Sequence, residues 1–336
     1  MRGVAIFFIV FHNLTRWMTE CKENEFIFSL DNTNLFYTSL LNFDSSLWLN
    51  ISTFLGWYGV VIFVFLSGYG LVCKYEDNPT DLQFKSFFWY NFKKLFSLMV
   101  IPCLLYMLMV FLLHNHKLGV ENAFYQLTFL ANLITPEYID PGIYWYFGLM
   151  LQLYICYYFF FYKKRNRLMV YINILSFIVL ISILILNKMN VMYYIVHNCI
   201  AWILPFTLGV LLARNIIIIP KMSYAKYIVT LFVGALLLMI LNCNAYAWLF
   251  SPIVAIAIAV CLNNLLKPIK FLNSLFVYMG ILSAFIFCVH PHSRQLYLTF
   301  HGNNGFIDIF FLYFIPTIIL AFIYKKLYQE MFAKDK

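Results

Sequence analysis

The chain has 336 residues, of which 63% are hydrophobic, 21% aromatic and only 11% charged. Soluble domains carry about a quarter of their residues as charges, so this composition excludes an ordinary soluble protein and points to an all-α, polytopic membrane protein. The formal charge of +9 forms no basic cluster interleaved with polar sequence, which argues against nucleic acid as a partner. The eight cysteines stand singly, without CxxC or His/Cys grouping, so no metal site is expected.

The first apolar run, 3–18, has no small-residue cleavage site behind it and reads as a retained helix. It opens "RGVAIFFIVFH", with Arg2 and His12 bracketing nine uncharged residues. Ten residues of helix rise about 15 Å, half of a hydrocarbon core near 30 Å, so His12 falls close to mid-membrane if Arg2 marks an interface. Ionisable groups at that depth tend to face a cavity or a partner. His12 therefore reads either as a general base or as a hydrogen-bonded packing residue.

The next run, 57–73, contains "GWYGVVIFVFLSGYGLV", whose glycines suit close helix approach or a weakened helix at SGYG; Ser67 and Tyr69 lie there. Before the third run, 95–113, "KSFFWYNFKKLFSLMVIP" mixes aromatics with lysines. It could lie flat in the interface ahead of Pro102, with Lys93 and Lys94 facing phosphates or simply obeying topology. The run 143–162 has an aromatic outer end including Trp145, read as interfacial anchoring, and Gln152 about two turns in. Runs at 168–187, 191–213, 227–243 and 245–266 follow. The run 273–291 ends in "LSAFIFCVHPHSRQ", where His290 and His292 flank a proline, and 306–324 is the last. About ten transmembrane helices are expected.

Eighteen of the 23 basic residues fall on one side of this pattern, including Arg2, the 163–167 cluster, Arg214 and the tail with Lys334 and Lys336. The opposite side holds Arg16, Lys22, Lys117, Lys188 and Arg294 among acidic residues such as Glu20, Glu23, Glu25, Asp44, Glu137 and Asp140. The positive-inside rule then places both termini in the cytoplasm. Two outer loops stand out, 19–56 and 114–142, the second carrying "TPEYIDPGIYW". A Cys21–Cys243 disulfide between outer segments stays open.

Taken in order, "RG…FH", "GVVIFVFLSGYGL", the basic aromatic segment ending in proline, "YWYFGLMLQLYICYYFF" and "LSAFIFCVHPH" resemble the acyltransferase-3 family of integral membrane proteins, from residue 2 to 292. The resemblance implies acetyl transfer from acetyl-CoA to a hydroxyl of a cell-surface carbohydrate. It implies His12 as base or transient acyl carrier, and Arg2, Lys93 and Lys94 as contacts for the anionic donor. Three departures accompany it. Arg2 and His12 are one residue closer than is usual, Ser97 replaces a basic residue, and Gln152 stands where an acidic residue is common.

The expectation is a single membrane-embedded domain over 1–336, a multi-pass O-acetyltransferase of the inner or plasma membrane with no bound cofactor. Its partners would be acyl-CoA, a carbohydrate acceptor and membrane lipid. Ser67, Tyr69, Trp145, Gln152 and His290 would support the acceptor. A carrier, flippase or polymerase for lipid-linked glycans, or an inactive homologue, are the rival readings.

Overall fold

The computed structural model describes residues 1–43, 45–76, 82–114, 120–134, 139, 142–301 and 305–332. Asp44, Lys117, Glu137, Asp140, Lys334, Lys336 and most of the stretch 135–141 lie outside the described residues. In chain order the helices are α1 (Arg2–Thr15), α2 (Leu30–Asn42), α3 (Leu47–Gly56), α4 (Tyr58–Tyr75), α5 (Phe84–His114), α6 (Val120–Leu127), α7 (Ala131–Ile134), α8 (Trp145–Cys156), α9 (Asn166–Ile185), α10 (Met189–Val196), α11 (Cys199–Ala213), α12 (Tyr224–Leu241), α13 (Ala245–Trp248), α14 (Ser251–Leu266), α15 (Lys270–Phe300), α16 (Phe306–Ile309) and α17 (Ile315–Phe332). No strand occurs among the described residues, and the fold is all-α and of membrane type.

Among the described residues seven helical segments are long and apolar enough to cross a membrane, or eight if the pair α10–α11, bent by 45°, is one span. The count of ten is not reached on that measure. Helix α1 has 14 residues and α14 has 16, about 21 and 24 Å of helix against a core near 30 Å. The causes are local. Thr15 turns its hydroxyl back onto the Phe11 carbonyl at 3.0 Å as α1 ends. Pro252, in the first turn of α14, divides the run 245–266 into the short α13 and α14. By contrast α5 runs unbroken through Pro102, so the aromatic and basic stretch 85–102 belongs to one long helix and is not a separate interfacial segment.

The chain divides into two compact units, Met1–Phe63 with Lys221–Lys336, and Val64–Pro220. In the first, α1 is enclosed, with eleven of its fourteen residues buried. Small residues allow the enclosure. A Cβ on Gly3 would collide with the Phe276 carbonyl of α15, and one on Gly56 would sit 2.6 Å from the His12 Cβ. His12 therefore faces protein and not lipid.

In the second unit Gly68 of α4 and Gly209 of α11 pack reciprocally, each against a backbone carbonyl of the other helix, those of Phe206 and Phe65. The SGYG stretch is thus a helix-crossing point, and α4 stays helical through it. Arg214, counted above as a topological charge, makes a bidentate pair with Glu76 at 2.8 and 2.6 Å and also donates to Asn166 Oδ1 at 2.8 Å. Tyr157 donates to the same carboxylate at 3.0 Å.

Candidate functional site

His12, on α1, is 2% exposed and has a defined position. Its Nδ1 lies 2.8 Å from the Thr53 carbonyl. Thr53 is in the last turn of α3, where carbonyls have no partner within the helix. A carbonyl oxygen only accepts, so Nδ1 carries a proton, and in the neutral imidazole Nε2 is then the nitrogen with the lone pair. The Thr53 hydroxyl is engaged separately, donating to Thr15 Oγ1 at 2.8 Å.

Nε2 faces Glu25, whose Oε2 lies 3.8 Å away. That is beyond hydrogen-bond length and within ion-pair range. Glu25 is buried, as is Glu23, which pairs through Oε1 with Arg16 at 2.9 Å while its Oε2 is buried without a hydrogen-bond partner. The segment carrying both glutamates is held from the residue between them. The Asn24 carboxamide accepts from Ser29 N and donates to Thr33 Oγ1, each at 3.0 Å. Thr33 in turn donates to the Asn242 carbonyl at 3.0 Å. Buried Asn24 therefore helps to set the glutamates on either side of it against His12.

This constellation can take a proton at Nε2 and stabilise the resulting imidazolium with Glu25. Among the described residues, His12, Glu23 and Glu25 are also the one group whose ligand atoms converge as for a metal ion, all within 4.8 Å of one another. Arg16 already supplies a positive charge to Glu23 there. Glu23, Glu25, Arg16 and Thr53 were not singled out from the sequence. Arg16 follows His12 by four residues and Glu23 and Glu25 by 11 and 13, and that short separation was the available signal.

Arg2 lies at the other end of α1, about 15 Å from His12 along the axis. It lines a pocket of about 350 Å³ with Asn263, Asn273, Phe276 and Gly280. A second, apolar cavity of about 270 Å³ is bounded by Val4, Phe8, Leu55, Gly59, Leu238 and Ala259. Val4 borders both spaces. Phe8 is one helical turn from His12.

The remaining expected residues sort differently. His290, expected to support the acceptor, is fully buried on α15 in the same unit as His12. Lys93 and Lys94 are exposed on α5 of the second unit, where Ser67 is half-buried and Tyr69 exposed. Trp145 is not an interfacial anchor but a buried ring beside Trp202 and His197, at 5.3 and 5.7 Å. Gln152 seals the break between α10 and α11, accepting from Cys199 N at 3.0 Å and donating to Asn198 Oδ1 at 2.7 Å. Asn132 satisfies the other side of that break, donating to the His197 carbonyl at 2.6 Å. Buried backbone groups freed at a helix break need such partners. Cys21 and Cys243 are both free thiols, so the disulfide does not form.

A family model described as an acyltransferase domain, acyltransferase type 3, matches residues 1–326. Neither a curated protein nor a solved structure gives a significant match.

Proposed function

The chain belongs to the acyltransferase-3 family of membrane acyltransferases, and from that premise we propose that it moves an acetyl group from acetyl-CoA to a hydroxyl of a surface polysaccharide or its lipid-linked precursor. The observation that carries the reading is the buried imidazole whose Nδ1 is fixed by the Thr53 carbonyl and whose Nε2 faces Glu25.

The acceptor hydroxyl gives its proton to His12 Nε2 as its oxygen attacks the thioester carbonyl. The tetrahedral carbon then expels sulfur, the C–S bond breaks, and the imidazolium returns the proton to the thiolate, releasing CoA as a thiol. Glu25 balances the imidazolium while it exists. The pocket at Arg2, with its cationic side chain and two asparagines, suits the anionic part of the donor. The family resemblance assigns donor contacts to Lys93 and Lys94 as well. The charge alternation supports a cytoplasmic Arg2 end, where CoA is available, with both chain termini on that side.

The test is release of free CoA thiol from acetyl-CoA by the purified full chain in lipid nanodiscs, with and without a soluble glycan acceptor. Acceptor-dependent release is expected. Glycan binding or movement without CoA release would overturn the reading in favour of a carrier or polymerase.

A further inference from the structure

Helix α15 carries a polar face that the transfer step above does not use. His290, Ser293 and Arg294 are 0%, 3% and 6% exposed. Their spacing of three and four residues puts them on one side of the helix. Each has a buried atom with no hydrogen-bond partner: His290 Nε2, Ser293 Oγ and Arg294 Nε. Unpaired polar atoms on a single face are costly to bury, and an unpaired charge more so. Among the described residues no carboxylate forms an ion pair with Arg294; its guanidinium carbon lies 5.5 Å from the ring of Trp17, and His290 and Tyr313 are near enough to feel its charge. Trp17 is 63% exposed, so this contact reaches the protein surface. Trp17 also follows His12 by five residues, just past the end of α1.

The hydrogen-bonding capacities are complementary. His290 Nδ1 lies 3.2 Å from the Ile286 carbonyl, which fixes the proton on Nδ1 and leaves Nε2 as an acceptor. Ser293 donates or accepts, and Arg294 donates with a positive charge. We infer that His290, Ser293 and Arg294 form a substrate subsite for a carboxylate group. The guanidinium fork meets the carboxylate oxygens, Ser293 adds a donor, and His290 Nε2 accepts from a hydroxyl next to the carboxylate. Two substrates offer this chemistry: an acidic sugar unit of the acceptor, and an acyl group ending in a second carboxylate. The subsite's place in the reaction rests on the transferase reading; its binding of carboxylate does not.

The test is the thermal unfolding midpoint of the full chain in nanodiscs with four probes: sodium glucuronate, glucose, succinyl-CoA and acetyl-CoA. A carboxylate probe is expected to raise the midpoint by about 2 to 4 °C over its neutral counterpart at saturation. A shift with glucuronate over glucose assigns the subsite to the acceptor, and a shift with succinyl-CoA over acetyl-CoA assigns it to the donor. Arg294→Gln should abolish the shift, Arg294→Lys should keep part of it, and Ser293→Ala should weaken it. Without probe, Arg294→Gln should melt at or above the parent, because a buried charge without a partner is gone. His12→Asn should keep the shift while losing transfer, so the two readings fail separately. Equal midpoints for both pairs of probes, or a shift that survives Arg294→Gln, would overturn the subsite. An unliganded Arg294→Gln that melts well below the parent would do so too, by making the arginine structural.

Discussion

The imidazole of His12 has one nitrogen committed and one available, and that asymmetry makes its role testable. Nδ1 is tied to a backbone carbonyl that no side-chain substitution at Thr53 removes. His12→Asn keeps a polar group of similar size without a useful base. Transfer is expected to fall by roughly 10²- to 10⁴-fold, the usual contribution of a positioned base. Protein abundance in the membrane should stay near the parental level. Near-normal turnover in His12→Asn, with abundance lost in His12→Ala, would reduce the residue to packing. Glu25→Gln makes a second, separate demand. At 3.8 Å the carboxylate acts on the charge that forms on the ring, so its loss should lower kcat by about 10²-fold and leave KM for the acyl donor little changed. Steady-state kinetics on the two variants distinguishes base from charge partner; an unaltered kcat in Glu25→Gln would remove the glutamate from the mechanism.

At the scale of elements, the site depends on a segment with no regular structure. Residues 16–29 bring Glu23 and Glu25 to α1, held in part by the Arg16–Glu23 pair and the Asn32 carboxamide on the Glu23 carbonyl, and in part by buried Asn24, which bridges Ser29 and Thr33. Asn24→Ala leaves those partners unsatisfied and should cost about 1–3 kcal/mol. Transfer should drop with it although no proposed reacting group is touched, which paired melting and activity measurements would show; full activity would mean that the glutamates are held by other means. Gln152→Glu probes another element. A carboxylate can still accept from Cys199 N but cannot donate to Asn198 Oδ1, so the variant should be less stable and no more active. A gain in transfer would restore the idea that an acid belongs at this position.

These two cases also mark what could be read from residues alone. Runs of apolar sequence foretold the helices because burial and backbone satisfaction in lipid leave few alternatives. His12 was legible because a titratable group inside such a run is costly. Glu23 and Glu25 were counted as outer-loop charges, since an irregular segment has no periodicity to say which side chains turn inward. The role of Gln152 lay hidden because the break it seals depends on the geometry of α10 and α11. Trp145 looked like an interfacial ring for the same reason; its neighbours Trp202 and His197 are distant in sequence.

For the molecule as a whole, orientation decides which face would meet the proposed CoA donor, and the charge pattern makes a direct prediction about it. Single cysteines at Asn34 on α2 and at Arg165 before α9 report the two sides, and both positions are exposed. Asn166 is a poorer reporter because its carboxamide accepts from Arg214. The exposed Cys73 and Cys243 must first be replaced. Cys21 can stay: burial, and to a lesser degree the nearby Glu23, push its thiol up to about 11, so little thiolate exists at neutral pH. A membrane-impermeant maleimide on intact cells should label Asn34→Cys and spare Arg165→Cys, with both reacting once the membrane is opened. The positive-inside bias rests on 18 of 23 basic residues, although Arg214 shows that one of these also serves an internal ion pair. Removing it from the count leaves the alternation intact, so the expected result does not depend on it. The reverse labelling pattern would put Arg2 and its pocket on the side without CoA. The acyl donor would then have to be carried by something other than cytoplasmic CoA, even if His12 and Glu25 keep their roles.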